Sequence, residues 1–252
     1  AAALAWKITD EAWMKNVKNV MNEMKLRLGW GVTGQQDIGD SYYPYLATYV
    51  ASVQGSNYPS LSGNGFISTM YPTGYDPKLK WEETTTWNAG FDFAFLNNRI
   101  TASIDYYLRK SKDLLSYVSV PSGSSTTNMM NQNIGTLKNE GIEFSITARP
   151  IVTNDFTWTA SYNVAYNKNR ITKLNNDGSY IETGGISSGN GNNCQVQAVG
   201  HPVNSFFLFE QVYDKNGKPL EGVYVDQNGD GVINDDDRRI RHSKDPKVTM
   251  SF

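Results

Sequence analysis

Trp158-Thr159-Ala160-Ser161-Tyr162-Asn163-Val164-Ala165-Tyr166 is the stretch that decides the fold. Its even positions are apolar or aromatic and its odd positions are small or polar. Successive side chains of an extended strand point to opposite faces, so this segment is greasy on one face and wet on the other. The pattern recurs upstream. Leu26, Leu28, Trp30 and Val32 align in 25–35, and Trp87, Ala89, Phe91, Phe93 and Phe95 align in 81–96. Ile100, Ala102, Ile104, Tyr106 and Leu108 align in 100–114, and Ile142, Phe144, Ile146 and Ala148 align in 141–149. Alternation alone suits a soluble sandwich as well as a membrane barrel.

The connections separate the two. Asn97-Asn98 makes a tight turn, because Asn tolerates positive φ, and 150–155 makes another. The other connections are long and polar, about 36–80, 116–137 and 168–246. Short and long connections therefore alternate, and all the long ones lie at one end. Outer-membrane barrels have that arrangement, with short periplasmic turns and long extracellular loops. The expected fold is all-β, an antiparallel meander of transmembrane β-barrel strands over residues 1–252, an incomplete barrel. The competing reading is a soluble or surface β-sandwich module that binds carbohydrate or calcium.

Composition agrees with strands. The chain has 252 residues with 22 Gly and 15 Tyr, and only 19% charged residues. A net charge of −2 supplies no basic field for nucleic acid. No stretch approaches the roughly 18 apolar residues of a membrane helix, whereas a barrel strand needs only about 9–11 alternating residues. The single cysteine, Cys194, excludes an intrachain disulfide, and His201 and His242 are the only histidines. Residues 9–21 read as a short helix or turn serving as a connector. The last residues read as a new strand from Lys247, so the chain is expected to be a piece of something larger.

Several motifs are more specific than the pattern. Tyr75-Asp76-Pro77-Lys78-Leu79-Lys80-Trp81-Glu82-Glu83-Thr84-Thr85-Thr86-Trp87-Asn88 leads into Gly90-Phe91-Asp92-Phe93. Asn98-Arg99-Ile100, Asp105-Tyr106-Tyr107, Lys110-Ser111-Lys112-Asp113-Leu114-Leu115 and Asn133-Ile134-Gly135 follow in order. Then come Asn139-Glu140-Gly141-Ile142-Glu143-Phe144 and Tyr162-Asn163-Val164-Ala165-Tyr166-Asn167-Lys168-Asn169. This run resembles the C-terminal barrel half of SusC/RagA-type TonB-linked outer-membrane proteins. Leu28 to Gln36 looks like an earlier strand of that family, and Tyr224 to Arg238 with Pro246-Lys247-Val248 like a later loop and strand start. The resemblance implies a nutrient importer in the cell outer membrane, surrounded by lipid and not an enzyme. It implies energy from TonB, a SusD-like surface lipoprotein as lid, and glycans or peptides as cargo. About seven strands are visible, against 22 in plugged transporters.

One local motif points to a cation. Asp226-Gln227-Asn228-Gly229-Asp230-Gly231-Val232-Ile233-Asn234-Asp235-Asp236-Asp237 follows the calcium-loop spacing with Asp237 where Glu is usual. Asp226, Asn228, Asp230 and Asn234 offer side-chain oxygens, Val232 its carbonyl, and Asp237 closes the set. The expected role is structural, a calcium ion clamping a long loop; the alternative is an acidic turn. The paired carboxylates Glu82-Glu83, Glu140 with Glu143, and 235–237 read as solvated charges. Asn88, Asp92, Asp105, Glu143, Arg149 and Asn163 are expected to face the lumen. Trp30, Trp81, Trp87, Trp158 and Tyr106 are expected to face lipid or its interface. Tyr42, Tyr43, Tyr45, Tyr49, Tyr58 and Tyr71 either stack on sugars or pack the first long loop on itself, the second being favoured.

Overall fold

A computed structural model describes residues 1–35, 44–51, 57–59, 65–121, 123, 127–174, 180–184 and 193–252. Seven strands form its main sheet. They are β1 (Ala2–Lys7), β2 (Met21–Gly34), β3 (Glu83–Phe95), β4 (Ile100–Ser119), β5 (Met129–Val152), β6 (Thr157–Leu174) and β7 (Val248–Ser251). Their order in the sheet is their order in the chain, a meander of antiparallel neighbours. Leu4 lies opposite Leu28 and Trp6 opposite Leu26 at one edge, and Val164 lies opposite Met250 at the other. The hairpins β3–β4 and β5–β6 are the two expected pairings. Connections this short close only antiparallel pairs.

The tight turns follow local chemistry. Leu96, Asn97 and Asn98 all have positive φ, at 54°, 56° and 62°. The amide of Asn97 donates to Asn22 Oδ1 at 2.6 Å, and the amide of Leu96 donates to the Val20 carbonyl at 2.9 Å. The second turn is displaced from its expected place. Strand β5 continues through Pro150 to Val152, and Thr153 closes the turn with Phe156, backbone to backbone at 2.8 Å and through its hydroxyl at 3.0 Å. Residues 8–20 are a connector of two 3₁₀ turns, Ile8–Asp10 and Ala12–Met14.

Three long connections differ from their expected bounds. Strands β4 and β5 run 20 and 24 residues and leave only 120–128 between them, not 116–137. Both are about twice the length that crosses a hydrocarbon layer. Strand β6 carries on to Leu174, into the expected loop 168–246. That segment then builds a four-stranded sheet from Tyr180–Thr183, Gln195–Ala198, Ser205–Leu208 and Arg239–Ser243. A hairpin expected around Phe206–Val212 is absent. Phe206 pairs with Gln195, whereas Gln211–Tyr213 pairs with Pro219–Tyr224. In 36–80, Tyr49–Ala51 pairs with Met70–Pro72 and Asn57–Pro59 with Phe66–Ser68. The glycine turn at 189–191 and most of the Ser/Thr tip at 122–127 lie outside the described residues.

Contacts divide the chain into two compact units. The first contains Ala1–Val32, Thr85–Lys110 and Leu137–Phe252; the second contains Thr33–Thr84 and Ser111–Thr136. Inside the second, Asn133 is the tie. Its Oδ1 accepts from the Lys80 amide at 2.8 Å, and its Nδ2 donates to the carbonyls of Lys80 and Asp113 at 2.9 and 2.7 Å. Glu82 Oε1 accepts from the Leu115 amide at 2.7 Å, so this carboxylate fastens a strand.

Core is scarce. Among the described residues one buried hydrophobic cluster is found, Val196, Ala198 and Phe207 with Ile240 packed on it, and it belongs to the four-stranded sheet. The main sheet has exposed Trp30, Trp87, Ile104, Trp158, Tyr162 and Met250 instead, the last three at 52%, 38% and 67%. Phe91, Phe93 and Phe95 stack along β3 with centroids 6.0 and 6.2 Å apart, which puts their rings on one face. Tyr162 and Met250 touch across the last strand pair, 3.3 Å from hydroxyl to sulfur. Trp81 lies just before β3 rather than on it.

Candidate functional site: the polar face of the sheet

The other face is joined by polar side chains that cross from strand to strand. Arg27 on β2 donates Nε and Nη2 to both oxygens of Asp92 on β3, each at 2.8 Å, and Nη2 also reaches Asp105 on β4 at 3.0 Å. A two-point guanidinium–carboxylate contact fixes orientation as well as distance. Glycine makes room for it. At Gly90 on β3 a Cβ would meet the Asp105 carboxylate and the Arg27 guanidinium at under 3.0 Å. The device repeats one hairpin further on. Tyr107 on β4 reaches over β5 to donate to Asn167 Oδ1 on β6 at 3.0 Å. It passes Gly141, where a Cβ would lie 2.5 Å from the Tyr166 carbonyl and 2.6 Å from the Tyr107 hydroxyl. A glycine inside a strand often marks such a close approach.

Hydroxyls continue the series. Ser103 meets Ser145 at 2.8 Å, Thr147 meets Ser161 at 3.0 Å, and Asn163 donates to Ser251 at 3.4 Å. Grooves run along this face. One of about 270 Å³ is lined by Asp105, Glu143, Asn163 and their neighbours, and one of about 520 Å³ by Glu23, Asp92, Thr147 and Arg149. The expected lumen residues Asp92, Asp105, Glu143, Arg149 and Asn163 thus share one face, and Asn88 faces Gly29 beside them. Sequence reading missed Arg27, Tyr107 and the two glycines.

The candidate cation loop is fully described, and its side chains mostly turn inward to its own backbone. Asp226 accepts from the amides of Gly229 and Gly231 at 2.7 and 2.8 Å, and Asp230 from Val232 at 2.8 Å. Asn228 accepts from the Asp230 amide at 3.0 Å, and Asn234 from Asp236 at 2.8 Å. Gly229 and Gly231 have φ of 77° and 81°, the conformation the sharp turn needs. Asp237 is fully buried. Its two oxygens accept from Gln227 and Asn234 amides at 2.7 and 3.0 Å, and those donors, Asn234 first, hold the carboxyl below its ordinary range. Among the described residues no three His, Cys, Asp or Glu side chains gather around one point. A cation here would depend on the Asn228 amide and the Val232 carbonyl as well as on carboxylates.

Next to it Arg238 holds the four-stranded sheet together. It is 9% exposed, lies over the Phe207 ring at 4.2 Å, donates to the Phe207 and Asn193 carbonyls, and pairs with Glu182 at 3.0 Å.

A family model described as TonB dependent receptor-like, beta-barrel, matches residues 1–236. The chain belongs to that family. It is 52% identical over 254 residues to the TonB-dependent receptor SusC of Bacteroides thetaiotaomicron, covering 99% of this chain and 25% of that receptor. It is 33% identical over 271 residues to the TonB-dependent receptor P3 of Formosa agariphila, covering 100% of this chain and 26% of that one. Among solved structures, that of the RagAB peptide transporter superposes with a TM-score of 0.76 at 26% identity, over 98% of this chain and 26% of that chain. The receptor chain described here thus spans about a quarter of the length of these relatives. It is an outer-membrane β-barrel chain of SusC/RagA type, and the meander is part of the barrel wall. The two faces acquire their meaning from that: the uncovered apolar face meets lipid, and the cross-linked polar face looks inward.

Proposed function

We propose that the chain forms part of the wall and outer loops of a TonB-dependent importer, taking up glycans or peptides across the outer membrane. The observation that carries this reading is the two-faced sheet. Its apolar face has no protein partner among the described residues, while its polar face is fixed by Arg27, Asp92, Asp105 and Tyr107. A rigid polar wall lets a hydrated cargo pass without moving the barrel. A SusD-like lipoprotein lid and TonB belong to the same proposal, and the name of the RagAB transporter supports peptides as one cargo class. For glycans the support is in the second unit. Tyr49, Tyr58 and Tyr71 are exposed at 65%, 69% and 48%, so these three rings are not buried by packing of the loop on itself. Their rings are open to stack on sugars. Tyr42 and Tyr43 lie outside the described residues.

The test is deletion of the full-length receptor gene and growth on single glycans or peptide mixtures. Loss of growth on one class, reproduced by loss of TonB, is the expected result. Unchanged growth on every class, or uptake that persists without TonB, contradicts the reading. Calcium at 226–237 is part of the proposal as a clamp on the loop. Titration of the full-length receptor should give calcium heat that disappears in Asp226→Ala with Asp230→Ala, whereas equal heats leave only the acidic turn.

A further inference from the structure

The hydrogen-bond ladder along the β7 edge of β6 is interrupted once. Alternate residues of an antiparallel strand aim their N–H and C=O at the same edge, here Asn167, Asn169 and Ile171. The Asn167 amide donates to the Lys247 carbonyl at 2.8 Å. The Ile171 amide donates to the His201 carbonyl at 3.0 Å, and the Ile171 carbonyl accepts from the Gly200 amide at 2.8 Å. Between them the Asn169 N–H and C=O meet no backbone partner at this edge among the described residues. A cleft of about 660 Å³ opens there, lined by Asn167, Lys168, Asn169 and Arg170 in succession and faced by His201 and Lys247. Both asparagine side chains are engaged through their oxygens. Asn167 Oδ1 accepts from the Tyr107 hydroxyl at 3.0 Å, and Asn169 Oδ1 from the Val203 amide at 2.8 Å. Their Nδ2 groups have no acceptor among the described residues. Lys168, Arg170 and Lys247 have no ion-pair partner among the described residues, and Arg241 in the same cleft is paired with Glu210. Asp245 is the one carboxylate in the lining. Glu140 acts on Lys168 and Arg170 from β5 and is itself paired with Lys138 at 2.8 Å.

We propose that this cleft binds one acidic sugar unit, a uronic acid, of an anionic glycan. The cations and the unengaged donors (Asn167 Nδ2, Asn169 Nδ2 and the Asn169 N–H) suit a carboxylate, because a hydrogen bond to a charged group is the stronger kind. Ring hydroxyls beside that carboxylate both donate and accept, so they pair with the Asn169 carbonyl and Asp245 as well as with amide donors. An extended peptide does not fit the gap. Strand addition needs successive open pairs. The bonds at Asn167 and Ile171 leave one open residue between them, in a window about 13 Å long. A single sugar ring with its carboxylate enters such a window. The proposal rests on the importer reading and narrows its cargo to an acidic glycan.

The experiment titrates the full-length receptor in detergent with trigalacturonate and with its methyl ester, which keeps the sugar and removes the charge, and reads the binding heat. The wild type should bind the acid about tenfold more tightly than the ester, or better. Lys168→Gln with Arg170→Gln should remove that preference. Should the double variant fail to fold, Asn169→Asp tests the same point. Its oxygen still accepts from Val203, while a donor gives way to negative charge, and affinity for the acid should fall about tenfold or more. Lys215→Gln with Lys218→Gln, removing equal charge from an exposed turn, should leave the preference unchanged. Equal affinity of the wild type for acid and ester, or heat from neither, overturns the proposal. So does a preference unchanged in the Lys168/Arg170 or Asn169 variants, or equally lost in the Lys215/Lys218 control. Displacement of the sugar by equimolar triglutamate or inorganic sulfate also overturns it, since the site would then read charge alone. Binding is read without transport, so the two readings fail separately: acid binding with failed uptake contradicts the importer, and uptake with equal heats contradicts only the acidic cargo.

Discussion

The seven-stranded meander and the four-stranded sheet solve the problem of burial in opposite ways. The small sheet carries its own core: Val196 is fully buried, Phe207 packs on Tyr180 at 5.0 Å, and Arg238 is wrapped in carbonyls and carboxylate. The meander has nearly none, and Trp87, Ile104 and Trp158 stand uncovered. Soluble monomers avoid apolar patches of that extent. A sheet in lipid requires one, because its solvent is hydrocarbon and its backbone bonds are satisfied between strands. The small sheet is therefore built for water and the meander for a membrane, within one chain.

The largest effect should come from breaking the small sheet's core. Arg238→Ala leaves Glu182 and the Phe207 and Asn193 carbonyls without their donor, and each buried acceptor left unsatisfied costs about 1–3 kcal/mol. Proteolysis should then cut within 180–243 of the full-length receptor, while the barrel keeps its heat-resistant mobility on a gel. Loss of both together would mean that the two regions are not distinct.

Ile104→Arg attacks the other solution. A cation on the lipid face near mid-membrane costs about 2–4 kcal/mol. Folding into vesicles should weaken by about that amount, whereas Ser103→Arg, one residue along and on the polar face, should cost much less. Equal costs would contradict the assignment of faces.

Next are the two glycines. Gly141→Ala drives a Cβ into the Tyr166 carbonyl, which is backbone, whereas Gly90→Ala meets only the ends of Asp105 and Arg27. Overpacking costs about 1–3 kcal/mol, and Gly141→Ala should stand at the upper end and Gly90→Ala at the lower. Denaturant titration in detergent gives both, and the reverse order would contradict the crossing geometry.

The smallest effect is a pH dependence. The Asp237 carboxyl is lowered in the fold, so its stabilisation is present above the ordinary carboxylate value of about 3.9 and is lost as pH falls through the lower folded value. Protease sensitivity of 226–237 should rise below about pH 4. In Asp237→Asn that rise should be missing, with a looser loop at neutral pH.

The strands and their faces were legible because alternation is local. Trp158 to Tyr166 needs no distant residue to be read. The strand ends were not. In Ser116–Ser119 and Met129–Thr136 apolar residues fall on both parities, so these stretches lose the contrast that marks a strand and look like loop. Arg27 gave no signal, since its partners lie 65 and 78 positions away. Gly90 and Gly141 did give one, for an in-strand glycine invites the question of what passes over it. The small sheet was hidden because its strands are four or five residues long, too short for periodicity to register.

The most direct test of the central claim is site-directed spin labelling along Ile100–Leu108 in the full-length receptor in lipid, with Cys194→Ser as background. Even positions should be accessible to membrane-dissolved oxygen and odd positions to a water-soluble nickel chelate, alternating residue by residue. A uniform response, or even positions shielded from both reagents, would contradict a lipid-facing apolar face.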